Sequence, residues 1–273
     1  MSRMMIQAAT TMNQLQNKLD LIGHNLANSE TTGYKNRTAQ FSSLLVQQLN
    51  NMNDPANAEG RLTPEGIRVG SGAKLGAISN DLSLGSIKET GRSLDVALLE
   101  ENHLFQVEVT ENDVTETRYT RDGSFYLSPV ENNQVMLTTK DGHPVLGPNG
   151  ARIVFADGFD SISISENGEI LAKRGDQMEN VGELETVEAV RPRVLEATGD
   201  NNFRLPNLDE LGYDLNDIIQ LAAPSMKSGA LETSNVDIGN QMNDMILTQR
   251  SYQFNARTIS TTDQMMGLVN QLR

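Results

Sequence analysis

Residues 5–26 read MIQAATTMNQLQNKLDLIGHNL, and apolar side chains recur in them alternately every three and every four residues. This spacing places the apolar side chains on one face of an α-helix and is the heptad pattern of a coiled coil. The pattern therefore predicts an N-terminal helix with an apolar seam that packs against another helix. The predicted seam consists of Met5, Ala8, Met12, Leu15, Leu19, Ile22 and Leu26.

A second helix with a heptad seam is predicted at the C-terminus. No proline follows Pro224, so a helix can run without interruption from about residue 235 to residue 272. Its predicted seam consists of Ile238, Met242, Met245, Tyr252, Ala256, Ile259, Met266 and Val269. Both seams are rich in Met and Ala, and such surfaces adapt to several neighbours. If the middle of the chain is compact, one helix enters it and the other leaves it, so their pairing would be antiparallel.

The middle of the chain has the pattern of β-structure. Residues 92–200 contain alternating segments and three two-residue turn signals, which predict an antiparallel barrel or sandwich. The turn signals are Asp122-Gly123, Asp141-Gly142 and Asn167-Gly168, and further strands are predicted at 94–99, 104–109 and 187–193. Helical spacing resumes after Gly33 at Phe41, Leu44, Leu45 and Leu49.

These patterns divide the chain into five predicted parts. They are an N-terminal helical assembly segment at 1–50, an extended stem at 51–91, a β-rich domain at 92–200, a return stem at 201–234 and a C-terminal helical assembly segment at 235–273.

Composition excludes several classes of function. The 273 residues include no cysteine, which rules out disulfides and thiolate chemistry. The formal net charge of −14 disfavours nucleic acid as a partner. No apolar run approaches the roughly 18 residues of a membrane span, so no membrane insertion is expected. Residues 1–10 also lack the basic and apolar regions of a secretory signal.

The sequence predicts no catalytic, cofactor-binding or metal-binding site. The glycines at 70–76 match neither a dinucleotide-binding loop nor a P-loop, and the three histidines are far apart in the sequence. Arg174-Gly175-Asp176 spells a cell-adhesion tripeptide, which leaves an extracellular adhesion protein as a lesser alternative.

Two strings next to the predicted helices have an unusual choice of residues. At the N-terminal string, Gly33 supplies a left-handed backbone position after the helix. At the C-terminal string, Ser234 or Asn235 is a natural N-cap, with Asp237 at the positive end of the helix. The residues that define the two strings are Asn25, Ala27, Asn28, Thr31, Gly33, Tyr34, Lys35, Ser234, Asn235, Val236, Asp237, Gln249, Arg250 and Asn255.

Together these strings resemble the bacterial flagellar axial proteins of the rod and hook. Residues 90–97, 119–125 and 141–147 are similar to the distal-rod branch in particular. Glu100-Glu101-Asn102-His103 depart from the Gly-rich, double-aromatic stretch usual in that branch. A hook or hook-junction paralogue therefore stays open as an alternative.

The resemblance implies a mixed α and β fold and a structural, non-enzymatic subunit of the flagellar basal body. Its terminal helices would pair as an antiparallel coiled coil inside a hollow, torque-transmitting shaft, with the β-rich domain outside. Residues 25–35 would fix the bend by which neighbouring subunits contact each other. The implied partners are further copies of the chain, other axial proteins and the flagellar export apparatus, which acts without a cleavable signal peptide. No cofactor is implied.

Overall fold

A computed structural model describes residues 2–43, 46–49, 67–70, 73–208 and 212–271 of the chain. The helices are α1 (Ser2–Ala27), α2 (Leu215–Ile218) and α3 (Ile238–Gln271), and short 3-10 turns lie at Pro148–Gly150 and Pro192–Val194. The first ten strands are β1 (Arg37–Ser43), β2 (Val46–Leu49), β3 (Ile67–Gly70), β4 (Ala73–Asn80), β5 (Ile87–Glu89), β6 (Val96–Leu98), β7 (His103–Glu111), β8 (Val114–Thr120), β9 (Phe125–Val130) and β10 (Gln134–Thr139). The remaining strands are β11 (Val154–Ala156), β12 (Ser161–Ile164), β13 (Glu169–Arg174), β14 (Gln177–Glu183), β15 (Thr186–Ala189), β16 (Glu196–Gly199), β17 (Asn202–Arg204), β18 (Ile219–Ala222), β19 (Met226–Ser228) and β20 (Ala230–Glu232).

The chain forms two compact units. The helical unit contains residues 1–26, 38–78 and 238–273, and the body contains residues 27–37 and 79–237. Each unit is therefore assembled from segments that are distant in the sequence. Among the described residues, no helix combines the length and the apolar character needed to cross a bilayer.

The body is built from antiparallel sheets, which confirms the predicted mixed fold with a β-rich centre. Its main sheet has six strands in the order β16-β17-β8-β7-β15-β18 and curls into a half-barrel. Two three-stranded sheets, β11-β10-β9 and β12-β13-β14, form much of the remainder of the body. The larger apolar core includes Phe105 and Phe125, whose rings meet edge to face at 5.1 Å between centroids.

Two of the three predicted turns are confirmed. Asn167-Gly168 joins β12 to β13, and Gly168 has a φ of +85°. At Asp141-Gly142 the chain turns back so that Thr139 N–H donates to the His143 carbonyl at 2.8 Å. The third prediction, a hairpin at Asp122-Gly123, is wrong, because β8 pairs with β7 and β17 whereas β9 pairs with β10. Asp122 and Gly123 instead form a buried corner between two sheets. A Cβ at Gly123 would clash there with the Val96 carbonyl oxygen.

The helical spacing predicted at 41–49 is also wrong where the chain is described. Residues 37–43 and 46–49 form β1 and β2, which pair with β4 and β3 respectively. The backbone groups of β1 and β2 bond to strands some 20 to 40 residues away. The local spacing of apolar residues carries no information about such distant partners. Leu44 and Leu45 lie outside the described residues. Among the residues predicted as stem, 51–66 also lie outside them, and the return stem contains strands β17 to β20.

Candidate assembly site

The N-terminal string turns the chain directly after α1. Asn28 and Thr31 form the turn, since the Thr31 N–H donates to the Asn28 carbonyl and its hydroxyl bonds the Asn28 side chain at 3.2 Å. Tyr34 N–H then donates to the Thr31 carbonyl. Gly33, Lys35 and Asn36 bond to distant parts of the body, so the string is anchored within its own chain.

Gly33 is the point of closest approach in this string. Its φ is +67°, and its N–H donates to the Glu232 carbonyl at 2.9 Å. A Cβ at this position would lie 2.7 Å from Asp122 N and 2.8 Å from Arg121 C. Real Cβ atoms do not approach backbone so closely, so the left-handed conformation and the lack of space both demand glycine here.

A buried ionic cluster lies beside Gly33. The Glu232 carboxylate accepts from Lys35 Nζ through one oxygen and from Arg121 Nε through the other, each at 2.6 Å. All three side chains are at most 1% exposed. We call Lys35, Arg121 and Glu232 the buried triad.

Backbone groups bond to the remaining donors and acceptors of the buried triad. The Arg121 guanidinium donates to the carbonyls of His103 and Glu100, each at 2.7 Å. Lys35 Nζ also donates to the Ser83 carbonyl at 2.5 Å, and Gly85 N–H donates to Glu232 at 2.7 Å. A buried charge is tolerated only when it is paired and hydrogen-bonded in this way.

The charges of the buried triad control the ionisation of Glu232. Burial alone raises the pKa of Glu232, but the charges of Arg121 and Lys35 and the Gly85 N–H together lower it below its ordinary value of 4.5. Burial lowers the pKa of Lys35, and the Glu232 carboxylate offsets this only in part. Glu232 is therefore a carboxylate at neutral pH, as both of its ion pairs require.

The side chain of Asn235 bonds to the same two segments that Lys35 connects, around residues 36 and 83. Its Oδ1 accepts from Asn36 N–H at 2.7 Å, and its Nδ2 donates to the carbonyls of Asp81 and Ser83. The sequence predicts an N-cap at Ser234 or Asn235, but α3 begins at Ile238, so this prediction is wrong for both residues. The Ser234 hydroxyl bonds locally instead and accepts from Val236 N–H at 3.2 Å. Long-range hydrogen bonds fully engage the Asn235 amide.

The triad, Gly33 and Asn235 thus form a joint inside the body. The joint ties the segment that follows α1 to the segment that precedes α3, through residues 33–36 and 232–235. Arg121 and Glu232 were not among the predicted site residues. For Glu232 a signal was available, since it is the only charged residue between Lys227 and Asp237, whereas Arg121 lies close to Arg118 and Asp122 and has no such signal.

The predicted seam of α1 coincides with the less exposed face of that helix. Ala8, Leu15 and Ile22 are buried, whereas Met5, Met12, Leu19 and Leu26 are half-buried. At the end of the seam, Asn25 is 1% exposed and its Nδ2 lies 3.4 Å from the Gln241 Oε1 of α3. Pairing of the two helices as an antiparallel coiled coil remains a prediction.

The less exposed face of α3 differs in part from its predicted seam. Of the predicted residues, Met245, Tyr252, Ala256, Ile259 and Met266 are half-buried, whereas Ile238, Met242 and Val269 are exposed. The covered stripe, which recurs every three and four residues, is Gln241, Met245, Thr248, Tyr252, Asn255, Ile259, Thr262 and Met266. The hydroxyls of Thr248 and Thr262 each donate to a carbonyl four residues earlier at 2.7 Å. These bonds lower the free-energy cost of burying the two hydroxyls. Gln249 and Arg250 of the C-terminal string are exposed.

A second, apolar stripe of α3 faces solvent. Leu247, Phe254 and Leu268 are 51%, 72% and 60% exposed, and their separations of seven and fourteen residues place them at one heptad position. Met242, Ile246, Met265 and Val269 add to the exposed apolar surface of this helix. Large apolar side chains aligned on an exposed helix face mark an interaction surface.

Three segments of the chain match models of known protein families. Residues 6–35 match the model "Flagella basal body rod protein", residues 99–172 match "Flagellar hook protein FlgE/F/G D1 domain" and residues 227–272 match "Flagellar basal body rod FlgEFG protein C-terminal". The chain is 40% identical over 283 residues to the flagellar hook-basal body complex protein FlhP of Bacillus subtilis strain 168, with 100% of both chains covered. It is 33% identical over 288 residues to the flagellar basal-body rod protein FlgG of Borreliella burgdorferi, covering 100% of this chain and 99% of that one. The FlgG of Agrobacterium fabrum is 31% identical over 277 residues, with 97% of both chains covered.

The chain belongs to the flagellar rod and hook axial protein family. It is accordingly a structural subunit of the flagellum and not an enzyme. The three family models meet at the joint, because Lys35, Arg121 and Glu232 lie one in each matched segment.

The adhesion tripeptide has a structural role in this rod and hook family member. Arg174 pairs with Glu179 at 3.0 Å and donates to the Ala156 carbonyl at 2.6 Å. Gly175 N–H donates to the Asp160 carboxylate at 2.7 Å. The arginine that an adhesion receptor would bind is thus already engaged within the body.

Proposed function

We propose that this rod and hook family member polymerises into a hollow, torque-transmitting shaft at the distal rod or the rod–hook region. Its terminal helices α1 and α3 supply the contacts between subunits. The observation that carries the proposal is the stripe of Leu247, Phe254 and Leu268, whose side chains are more than half exposed. Water contact with these side chains is unfavourable, and packing against helices of neighbouring copies removes it.

The joint supplies the second requirement of a shaft, a fixed course of the chain at the two places where it enters and leaves the body. Residues 33–36 and 232–235 are held by the buried triad, by Asn235 and by the Gly33 N–H. In this proposal the joint keeps both segments fixed within the body, and residues 25–35 set the bend through which neighbouring subunits meet.

Family membership supports the remaining partners. The subunit would contact copies of itself and other axial rod and hook proteins, and would be located in the basal body of the flagellum. We propose that the flagellar export apparatus delivers it without a cleavable signal peptide.

Replacement of Phe254 by serine tests the proposed assembly surface. Burial of a Phe side chain contributes about 2 kcal/mol, so Phe254→Ser should raise the concentration needed for polymerisation roughly thirtyfold. The critical concentration is measured by sedimentation of the purified chain. The neighbouring exposed Gln253→Ser serves as the matched control and should polymerise as the unmodified chain does. Equal critical concentrations for both variants would place the subunit interface elsewhere.

A further inference from the structure

A groove of about 850 Å³ opens on the surface of the body, beside the segment whose Glu100 and His103 carbonyls accept from Arg121. Its walls come from the turn before β7, from β15 and from β18. The side chains that matter for its chemistry are Glu100, Glu101, His103, Glu188, Leu84 and Leu221. It therefore combines three carboxylates with apolar surface.

Within the described part of the chain, no cation neutralises the carboxylates of the groove. Among the described residues, no Lys or Arg forms an ion pair with Glu100, Glu101 or Glu188, and all three are exposed. Elsewhere on the body, by contrast, Glu89 pairs with Lys227 at 2.6 Å. The groove thus presents an uncompensated negative field that attracts a cation.

A buried histidine with an unused hydrogen-bonding atom lines the groove. His103 is 9% exposed, and its Nδ1 has no hydrogen-bond partner. Burial lowers the pKa of His103, and the opposing charge of Glu188 does not overcome this effect, so the imidazole is neutral at pH 7. A neutral imidazole has one ring nitrogen that accepts, and a guanidinium offers five donors.

The groove also borders the open edge of a sheet. β18 is the last strand of the six-stranded sheet and pairs with β15 on one side, and no strand among the described residues pairs with its other side. Leu221 of β18 is 72% exposed. An unpaired strand with an exposed apolar side chain can accept an added strand.

We propose that this groove docks an extended segment of another protein in which arginines alternate with apolar residues. Because side chains of a strand alternate between faces, the arginines would face the glutamates and His103 while the apolar residues would cover Leu221. A second copy of this chain is a poor occupant, since its net charge of −14 repels an acidic groove. This docking site is separate from helix-mediated assembly and does not depend on it.

Binding of a designed peptide to the full chain tests the proposal. The probe is fluorescein-labelled Arg-Val-Arg-Val-Arg-Val amide, with Arg-Arg-Arg-Val-Val-Val amide as a control of equal charge, and binding is followed by fluorescence anisotropy. The double variant Glu101→Gln/Glu188→Gln removes two groove carboxylates and should weaken binding roughly tenfold. Glu131→Gln/Glu169→Gln, which removes two exposed carboxylates elsewhere on the body, should change binding by less than about twofold.

Three outcomes would overturn the proposal. The first is an equal loss of affinity in both double variants, which would reveal general attraction to an acidic surface. The second is binding of both peptides with the same affinity, or saturable binding of neither. The third is a changed sedimentation of the chain alone in the groove variant, which would make a second copy the occupant.

Discussion

Replacement of Arg121 by methionine is expected to lower the free energy of unfolding of the body by about 3–5 kcal/mol. The variant leaves the Glu232 carboxylate with one cation instead of two, at a position that is 1% exposed. It also removes the donors to the carbonyls of His103 and Glu100. Methionine fills a similar volume, so the loss measures the charge and its hydrogen bonds more than a cavity. Urea unfolding followed by circular dichroism gives the value.

Arg204→Met is the matched control for this prediction. Arg204 pairs with Glu196 at 3.0 Å, and the two side chains are 48% and 50% exposed. Exposed ion pairs contribute about 0–1 kcal/mol, so this variant should unfold almost as the unmodified chain does. If the Arg121 and Arg204 variants lost the same stability, the buried triad would not hold the joint together.

The second large effect is expected for Gly33→Ala. The added Cβ would occupy the space of the Arg121 and Asp122 backbone, and a φ of +67° is unfavourable for alanine. Together these terms should cost about 3 kcal/mol. The segment must then withdraw from the body, so the Asn36 N–H should lose its bond to Asn235 and exchange its hydrogen faster.

Gly175→Ala separates the two contributions. Gly175 has a φ of +61°, and nothing lies within 4 Å of a Cβ built there. Its replacement should cost only the backbone term, about 1 kcal/mol. Amide exchange at Asn36, measured by mass spectrometry, should stay slow in the Gly175 variant and become fast in the Gly33 variant. Slow exchange in both would show that Gly33 is not needed for the joint.

Local patterns in the sequence predicted those elements whose partners are close in the chain. The heptads at 5–26 predicted α1, because a helix bonds to itself every four residues. Asn167-Gly168 predicted a hairpin between β12 and β13 for the same reason. The apolar residues at 41–49 predicted a helix wrongly, since the strands formed there depend on partners at 67–80.

The joint could be predicted only in part. Gly33 and Lys35 belong to the N-terminal string that the sequence singles out, but the residues that they contact are distant in the sequence. Lys35 is separated from Glu232 by 197 residues and Arg121 from Glu232 by 111. No spacing rule reports on contacts of that range. Asn235 shows the same limit, because its position before a helix suggested an N-cap whereas its amide bonds residues 36, 81 and 83.

Amide exchange of α1 and α3, measured on chains fractionated by sedimentation, tests assembly through the terminal helices most directly. In the monomer, we expect rapid exchange at residues 2–27 and 238–271, because the exposed stripe of α3 lacks its neighbours. In the polymer, the same amides should be protected. Full protection of both helices in the monomer, with no further change on polymerisation, would contradict assembly through the terminal helices and place the subunit contacts elsewhere.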